Sequence, residues 1–258
     1  MTAIIFDLDE TLITDDEATA QALARVCLSA QKECGLDSGR LQEAVYQQAQ
    51  HLWHDSPMYD YCRMLGISAS EGLLGRFSGA QPQLQALYRW IPDYQHATWR
   101  RALAEQGAGD DALATRLASL FAQERRVCQA LFPEVEQTLR DLHQQYQLAL
   151  LTNGAPDLQR EKIAHFNLDQ YFDAVVVSGE VGVGKPHPAV FRAVLDQLAV
   201  SPQAAFMVGD NLRRDIAGAA QLGMRGIWVN RYKKEIDPAY ATYVHTQITD
   251  LTGLYQVL

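Results

Sequence analysis

The sequence predicts an α/β protein: a doubly wound parallel sheet interrupted by an all-helical insertion. Three observations predict it. From Phe132 onward, short apolar runs alternate with stretches of helical period. One more apolar run, Ala3–Phe6, opens the chain. Between them, from about Asp15 to Leu131, apolar residues recur at helical spacing and strand-like runs are absent. The expected division is a core of residues 1–14 and 132–258 with a helical domain of residues 15–131.

Each element has its own warrant. Ala3–Phe6 is wholly apolar with two isoleucines, the pattern of a strand buried on both faces. Leu23, Val26, Cys27 and Ala30 lie at i, i+3, i+4 and i+7, and Leu113, Leu117, Leu120 and Phe121 repeat that period. Residues 66–83 lack a period and read as loop or short helix. Val135–His143 reads as helix and Gln147–Leu151 as strand; Pro156 then opens another helix near its first turn. Ala174–Val177 is a strand. Pro188–Leu198 is a helix with Val190, Phe191, Val194, Leu195 and Leu198 on one side. Ala205–Val208 is a strand, Asp215–Leu222 a helix stopped by Gly223, and Ile227–Val229 a further strand.

Composition narrows the function. The chain has 258 residues, 48% of them hydrophobic, and 22 Lys and Arg against 31 Asp and Glu, a net charge of −9. So acidic a surface does not favour nucleic acid or anionic lipid as partner. No apolar run reaches the roughly 18 residues of a membrane span. MTAIIFDLDE lacks a basic n-region and is not expected to act as a signal peptide. Cys27, Cys34, Cys62 and Cys128 form no CxxC pair, which fits a reducing cytoplasm rather than a disulfide or zinc framework.

In doubly wound sheets, ligands bind beyond the carboxyl ends of the strands. Asp7, Asp9 and Thr11 follow the first strand, and Thr152, Asn153 and Gly154 the second. A glycine-rich loop leads from the third to Lys185. Gly209, Asp210, Asn211 and then Asp215 follow the fourth. Each alone has a bland reading as a cap, a turn or a surface charge. Together, in this order and each behind an apolar run, they point to one crevice. Crowded carboxylates raise each other's pKa unless a cation sits among them, and Mg²⁺ with oxygen ligands is the simplest such cation. One carboxylate can then attack phosphorus to give an aspartyl-phosphate, with Lys185 neutralising the transferred group and Thr152 and Asn153 donating to its oxygens. Lys185 has little local packing to hold it, so its loss is expected to spare the fold.

Gly179–Lys185, GEVGVGK, matches the spacing of a P-loop, but Pro186 stands where that loop needs Ser or Thr for its metal. Proline also keeps Lys185 out of helical geometry.

FDLDETL, LLTNG, GKPHP and VGDNLRRDI, in this order, resemble the four motifs of the haloacid dehalogenase-like hydrolase superfamily. The match covers about residues 1–14 and 132–232. The resemblance implies that Asp7 is the nucleophile and Asp9 the general acid/base. It implies that Thr152 and Lys185 hold the phosphoryl group. It also implies that Asp7, Asp210 and the backbone carbonyl of Asp9 bind Mg²⁺, with Asp215 supporting that shell from behind. The helical segment falls where the family places its cap, which would exclude water during attack and select the substrate. Dehalogenases of this fold lack an acid at the position of Asp9, because halide needs no proton; a phosphate ester does. The expectation is therefore a cytoplasmic Mg²⁺-dependent phosphomonoesterase of a small metabolite, a sugar phosphate or nucleotide. It is similar to the N-acylneuraminate-9-phosphatase and pyrimidine 5′-nucleotidase branch. A phosphomutase, a phosphonate-cleaving enzyme and a non-catalytic binding module are the alternatives on the same fold. Oligomeric state is not legible. The aromatic, histidine and arginine residues of the cap are assigned no role, since tryptophans at helical spacing are usually core.

Overall fold

The computed structural model describes residues 2–258. The chain forms two compact units, one of the segments ending at Thr14 and beginning at Leu131, the other Asp15–Ala130.

The first unit is built on a sheet of β1 (Ala3–Phe6), β2 (Gln147–Thr152), β3 (Ala174–Val177), β4 (Ala205–Gly209), β5 (Arg225–Val229) and β6 (Val244–Ile248). Its order is β3-β2-β1-β4-β5-β6, and every neighbouring pair is parallel. The apolar runs are explained by two cores, one on each face. Ile4, Phe6, Leu148, Leu150, Phe206 and Val208 face one; Ala3, Ile5, Ala149, Leu151, Ala205 and Met207 face the other. With side chains alternating between faces, a strand covered on both sides must be apolar at every position. Each buried leucine, isoleucine or phenylalanine contributes about 1.5–3 kcal/mol of transfer free energy.

The second unit consists of α1 (Asp15–Cys34), α2 (Ser38–His54), α3 (Tyr59–Leu65), α4 (Ala69–Gly72), α5 (Pro82–Ala104) and α6 (Asp111–Val127). Trp53 and Trp99 are buried in it, with Tyr94 and Phe121, so these tryptophans are core. The aperiodic stretch 66–83 contains one turn of helix, α4, opened by a capping box between Ser68 and Glu71. Arg125, fully buried, ties α6 to the start of α1 through Thr19 and an ion pair with Asp15.

The remaining helices belong to the first unit: α7 (Val135–Leu142), α8 (Pro156–His165), α9 (Ser178–Val181), α10 (Pro188–Leu198), α11 (Gly218–Ala220) and α12 (Leu254–Val257). The loop before Lys185 thus begins with a helical turn, α9, closed by Gly182 in the left-handed region. The chain leaves and re-enters this unit through neighbouring segments: Ile13 bridges Leu131, and the Phe132 N–H donates to the Leu12 carbonyl.

Two elements differ from the sequence reading. The helix expected from Asp215 begins at Leu212, capped by the Asn211 side chain, and its first turns are wide: Ile216 N–H reaches the Asn211 carbonyl five residues back. Asp215 therefore lies inside the helix. The sixth strand, β6, was not expected. It is an edge strand with exposed His245 and Gln247, so its pattern is too polar to read as a buried strand. No helix among the described residues is long and apolar enough to cross a membrane.

Candidate active site

Strand order reverses direction at β1, with β2 and β3 on one side and β4 to β6 on the other. The crevice at such a point lies between the carboxyl ends of β1 and β4. Asp7 and Asp210 stand there. The Asp7 N–H donates to the Val208 carbonyl at 2.9 Å, and the Asp210 N–H to Thr11 Oγ1 at 3.1 Å, so both loops are fixed to each other.

Lys185 reaches into the same crevice and is buried. Its Nζ lies 2.6 Å from Asp7 Oδ1, 2.7 Å from Asp215 Oδ1 and 2.9 Å from the Leu151 carbonyl. The ammonium donates to Asp7 Oδ1 and the Leu151 carbonyl and forms an ion pair with Asp215 Oδ1. This corrects the expectation of a loosely held lysine, because its packing comes from β1, β2 and the helix after β4, which are distant in sequence. The loop carrying it is held by Asn153, whose Oδ1 accepts from the Lys185 N–H at 2.7 Å and whose Nδ2 donates to its carbonyl at 3.0 Å. The Lys185–Pro186 peptide is cis. Asn153, expected to donate to a phosphoryl oxygen, has its Oδ1 and one Nδ2 hydrogen on the lysine's main chain.

Asp215 is fully buried, with Oδ2 accepting from the Asn211 N–H at 3.0 Å. Its closeness to the strand requires Gly209: a Cβ there would lie 2.5 Å from Asp215 Cγ. Gly209→Ala is expected to displace Asp215 and to weaken divalent-cation binding. Thermal melts with and without cation check this; an unchanged cation-induced shift would refute it.

One oxygen from each of Asp7, Asp210 and Asp215 lies within 4.8 Å of the others. The sequence places Asp215 behind a shell made by Asp7, Asp210 and the Asp9 carbonyl; in the structure an oxygen of Asp215 stands as close as those of Asp7 and Asp210. Three carboxylates face one ammonium, a deficit of two positive charges if all are ionised. The cost is visible in their acidity. Burial, opposed by Lys185 and reinforced by Asp215, raises Asp7 to about 6. Burial, then repulsion from Asp215 and Asp7, raises Asp210 to about 8. Burial lowers the Lys185 ammonium, but Asp215 and Asp7 outweigh it and hold its pKa above the ordinary lysine value. An all-oxygen cluster short of two charges fits a hard divalent cation.

The Asp9 carboxylate lies outside this cluster and faces α8. Oδ1 lies 2.8 Å from Lys162 Nζ and Oδ2 accepts from Gln159 Nε2 at 2.9 Å. Thr152 is buried; its Oγ1 accepts from Gln159 Nε2 at 2.6 Å and donates to the Asn153 carbonyl at a long 3.3 Å. Gln159 and Lys162 escaped the sequence reading. Polar residues in DLQREK look like a solvated helix face, and only their three-residue spacing on α8 marks a shared side.

A family profile described as haloacid dehalogenase-like hydrolase matches residues 1–223. A phosphoserine phosphatase from Thermus thermophilus is 38% identical over 242 residues, 92% of both chains. The N-acylneuraminate-9-phosphatase of Homo sapiens is 35% identical, covering 98% of this chain and 93% of its own. In structure, a HAD-hydrolase from Bacillus subtilis crystallised with magnesium superposes with a TM-score of 0.67 over 100% of this chain and 98% of its own. At 21% identity that likeness speaks for the fold alone.

Proposed function

The chain belongs to the haloacid dehalogenase-like hydrolase family, and from that premise we propose that it hydrolyses the phosphomonoester of a small metabolite through a phosphoryl group carried on Asp7. The observation that carries this reading is the convergence of Asp7, Lys185, Asp210 and Asp215 at the point where strand order reverses. The relatives it resembles over nearly their whole length are phosphatases.

The chemistry follows from the side chains. An oxygen of Asp7 attacks phosphorus, and the bond to the leaving alkoxide breaks. Asp9 gives that oxygen its proton. Water then attacks the phosphoryl-Asp7 with Asp9 accepting its proton, and phosphate leaves. Lys185 and the Thr152 hydroxyl hold the phosphoryl oxygens, and Asn153 keeps the lysine loop in place. Asp7, Asp210 and Asp215 are the residues that would hold Mg²⁺, together with the Asp9 carbonyl. A cation held there would neutralise the carboxylates and supply positive charge beside the phosphoryl oxygens. The helical unit is read as the cap that selects the substrate. The setting is cytoplasmic; the described cysteines are all free thiols, in keeping with this. Lys32, the single lysine in the sequence of the helical unit, is exposed, so nothing favours the Schiff-base chemistry of a phosphonate-cleaving relative.

A phosphate-release screen with Mg²⁺ over sugar phosphates, nucleotides, phosphoamino acids and phosphorylated cofactors tests the reading. Turnover of at least one alkyl phosphate supports it. Transfer of the group to a second substrate without free phosphate would make the protein a mutase instead.

Cation removal gives a further expected result. Chelation should abolish turnover, and Mg²⁺ should restore it. Because the folded-state pKa values of Asp7 and Asp210 lie above the ordinary carboxylate value, the cation-free folded state binds more protons than the unfolded chain. Their contribution to stability therefore falls as pH rises from about 4 through about 6 and about 8. A bound cation requires both ionised, so its stabilisation should be larger at about pH 8.5 than at about pH 5.5. Thermal melts with Mg²⁺ or chelator at the two pH values measure this. Equal Mg²⁺-induced shifts would contradict the assignment of these carboxylates.

A further inference from the structure

We propose that Gln159 and Lys162 are positioning residues of the phosphatase reaction. One side of α8 holds both oxygens of Asp9, and Gln159 also orients the Thr152 hydroxyl toward the phosphoryl group. The inference rests on the roles given above to Asp9 and Thr152.

Both residues are inside the molecule: Gln159 is fully buried and Lys162 is 2% exposed. A desolvated ammonium needs an anionic partner, and Lys162 has Asp9 Oδ1 at 2.8 Å. The other oxygen, Oδ2, takes one Gln159 N–H at 2.9 Å. With both oxygens held from one helix, the Asp9 side chain is fixed in a single orientation. The second N–H of the same amide points at Thr152 Oγ1, 2.6 Å away. The reversed amide would turn Gln159 Oε1 toward the Asp9 carboxylate, so electrostatic repulsion decides which end faces it. Oε1 is then left buried with no hydrogen-bond partner among the described residues, an arrangement that packing alone does not call for. Room for Gln159 comes from the second motif itself. Gly154 has φ +143°, and a Cβ there would lie 2.8 Å from Gln159 Cγ.

The consequence for Thr152 is directional. Gln159 occupies a lone pair of its oxygen, so the hydroxyl acts outward as a donor. Its present acceptor, the Asn153 carbonyl at 3.3 Å, is distant, and an anionic phosphoryl oxygen is a better one. Lys162 thus acts through the orientation of Asp9, and Gln159 acts on both Asp9 and the Thr152 hydroxyl.

These roles separate kinetically. The substrates are 4-nitrophenyl phosphate, whose leaving group departs without a proton, and the best alkyl phosphate from the screen. Lys162→Met is expected to lower kcat about thirtyfold or more on the alkyl phosphate but within about threefold on the aryl one. Inhibition by inorganic phosphate should be unchanged. Gln159→Met is expected to raise KM and the phosphate inhibition constant about tenfold on both substrates. Lys162→Gln and Gln159→Asn, which keep a donor, should show the same orderings with smaller losses, and they decide the matter if the methionine variants fail to fold. Equal losses on both substrates for Lys162→Met, or unchanged phosphate inhibition in Gln159→Met, would overturn the proposal. Asp9→Asn serves as reference. If it shows no leaving-group dependence either, the assignment of Asp9 itself falls; if it does and Lys162→Met does not, only the positioning role falls.

Discussion

Asp7→Asn is expected to abolish turnover, by about four orders of magnitude or more, while leaving a folded protein that is more stable in chelator than the original. The two effects have one cause. In the proposed reaction Asp7 supplies the oxygen that attacks phosphorus, and asparagine offers no such nucleophile. As an anion, Asp7 also crowds Asp210 and Asp215 in a buried cluster, and its pKa of about 6 shows that its surroundings disfavour the charge despite Lys185. Removing the charge relieves that repulsion wherever no cation compensates it. Asp9→Asn is expected to be nearly as slow for another reason, the lost proton to the leaving oxygen. With 4-nitrophenyl phosphate it should still be phosphorylated. Acid-quench mass spectrometry should then find a phosphoryl adduct on Asp7 in Asp9→Asn and none in Asp7→Asn. An adduct on any other residue would refute the nucleophile.

Lys185→Ala should cost both catalysis and stability. A preorganised charge aimed at a transferring group is worth about a hundredfold in kcat. Removing the buried ammonium also strands Asp7 and Asp215, with ion-pair distances of 2.6 and 2.7 Å, and breaking a buried pair by removing one partner costs about 3–5 kcal/mol. Mg²⁺ should recover part of the stability, by returning positive charge to the cluster, and none of the lost phosphoryl contact. Lys185→Arg should not restore kcat, because a planar fork cannot make the three contacts of a compact ammonium in that space. Steady-state kinetics beside melts in chelator and in Mg²⁺ check this. Near-normal kcat with an unchanged melt would mean that the lysine is an ordinary charge.

Much of the architecture was legible because parallel strands buried on both faces must be continuously apolar. Ala3–Phe6, Gln147–Leu151, Ala174–Val177 and Ala205–Val208 show this without ambiguity, and the strand β6 escaped because an edge strand is free to be polar. Residues immediately after those strands were legible for the same reason. The topology delivers every strand's carboxyl end to one side of the sheet, so Asp7, Asp210 and Lys185 could be placed near one crevice from order alone.

By itself, then, the sequence determined the α/β class, the helical insertion and the order of the four polar motifs. Only the tertiary structure decided what each side chain touches. It put Asp215 among the clustered carboxylates, because Gly209 lets a helix with widened turns press onto β4. It buried Lys185 between two aspartates, gave Asn153 to the lysine's backbone, and brought Gln159 and Lys162 from a polar-looking helix to Asp9. Those contacts join residues 30 to 178 positions apart, and hydrophobic periodicity carries information only about the residue's own element.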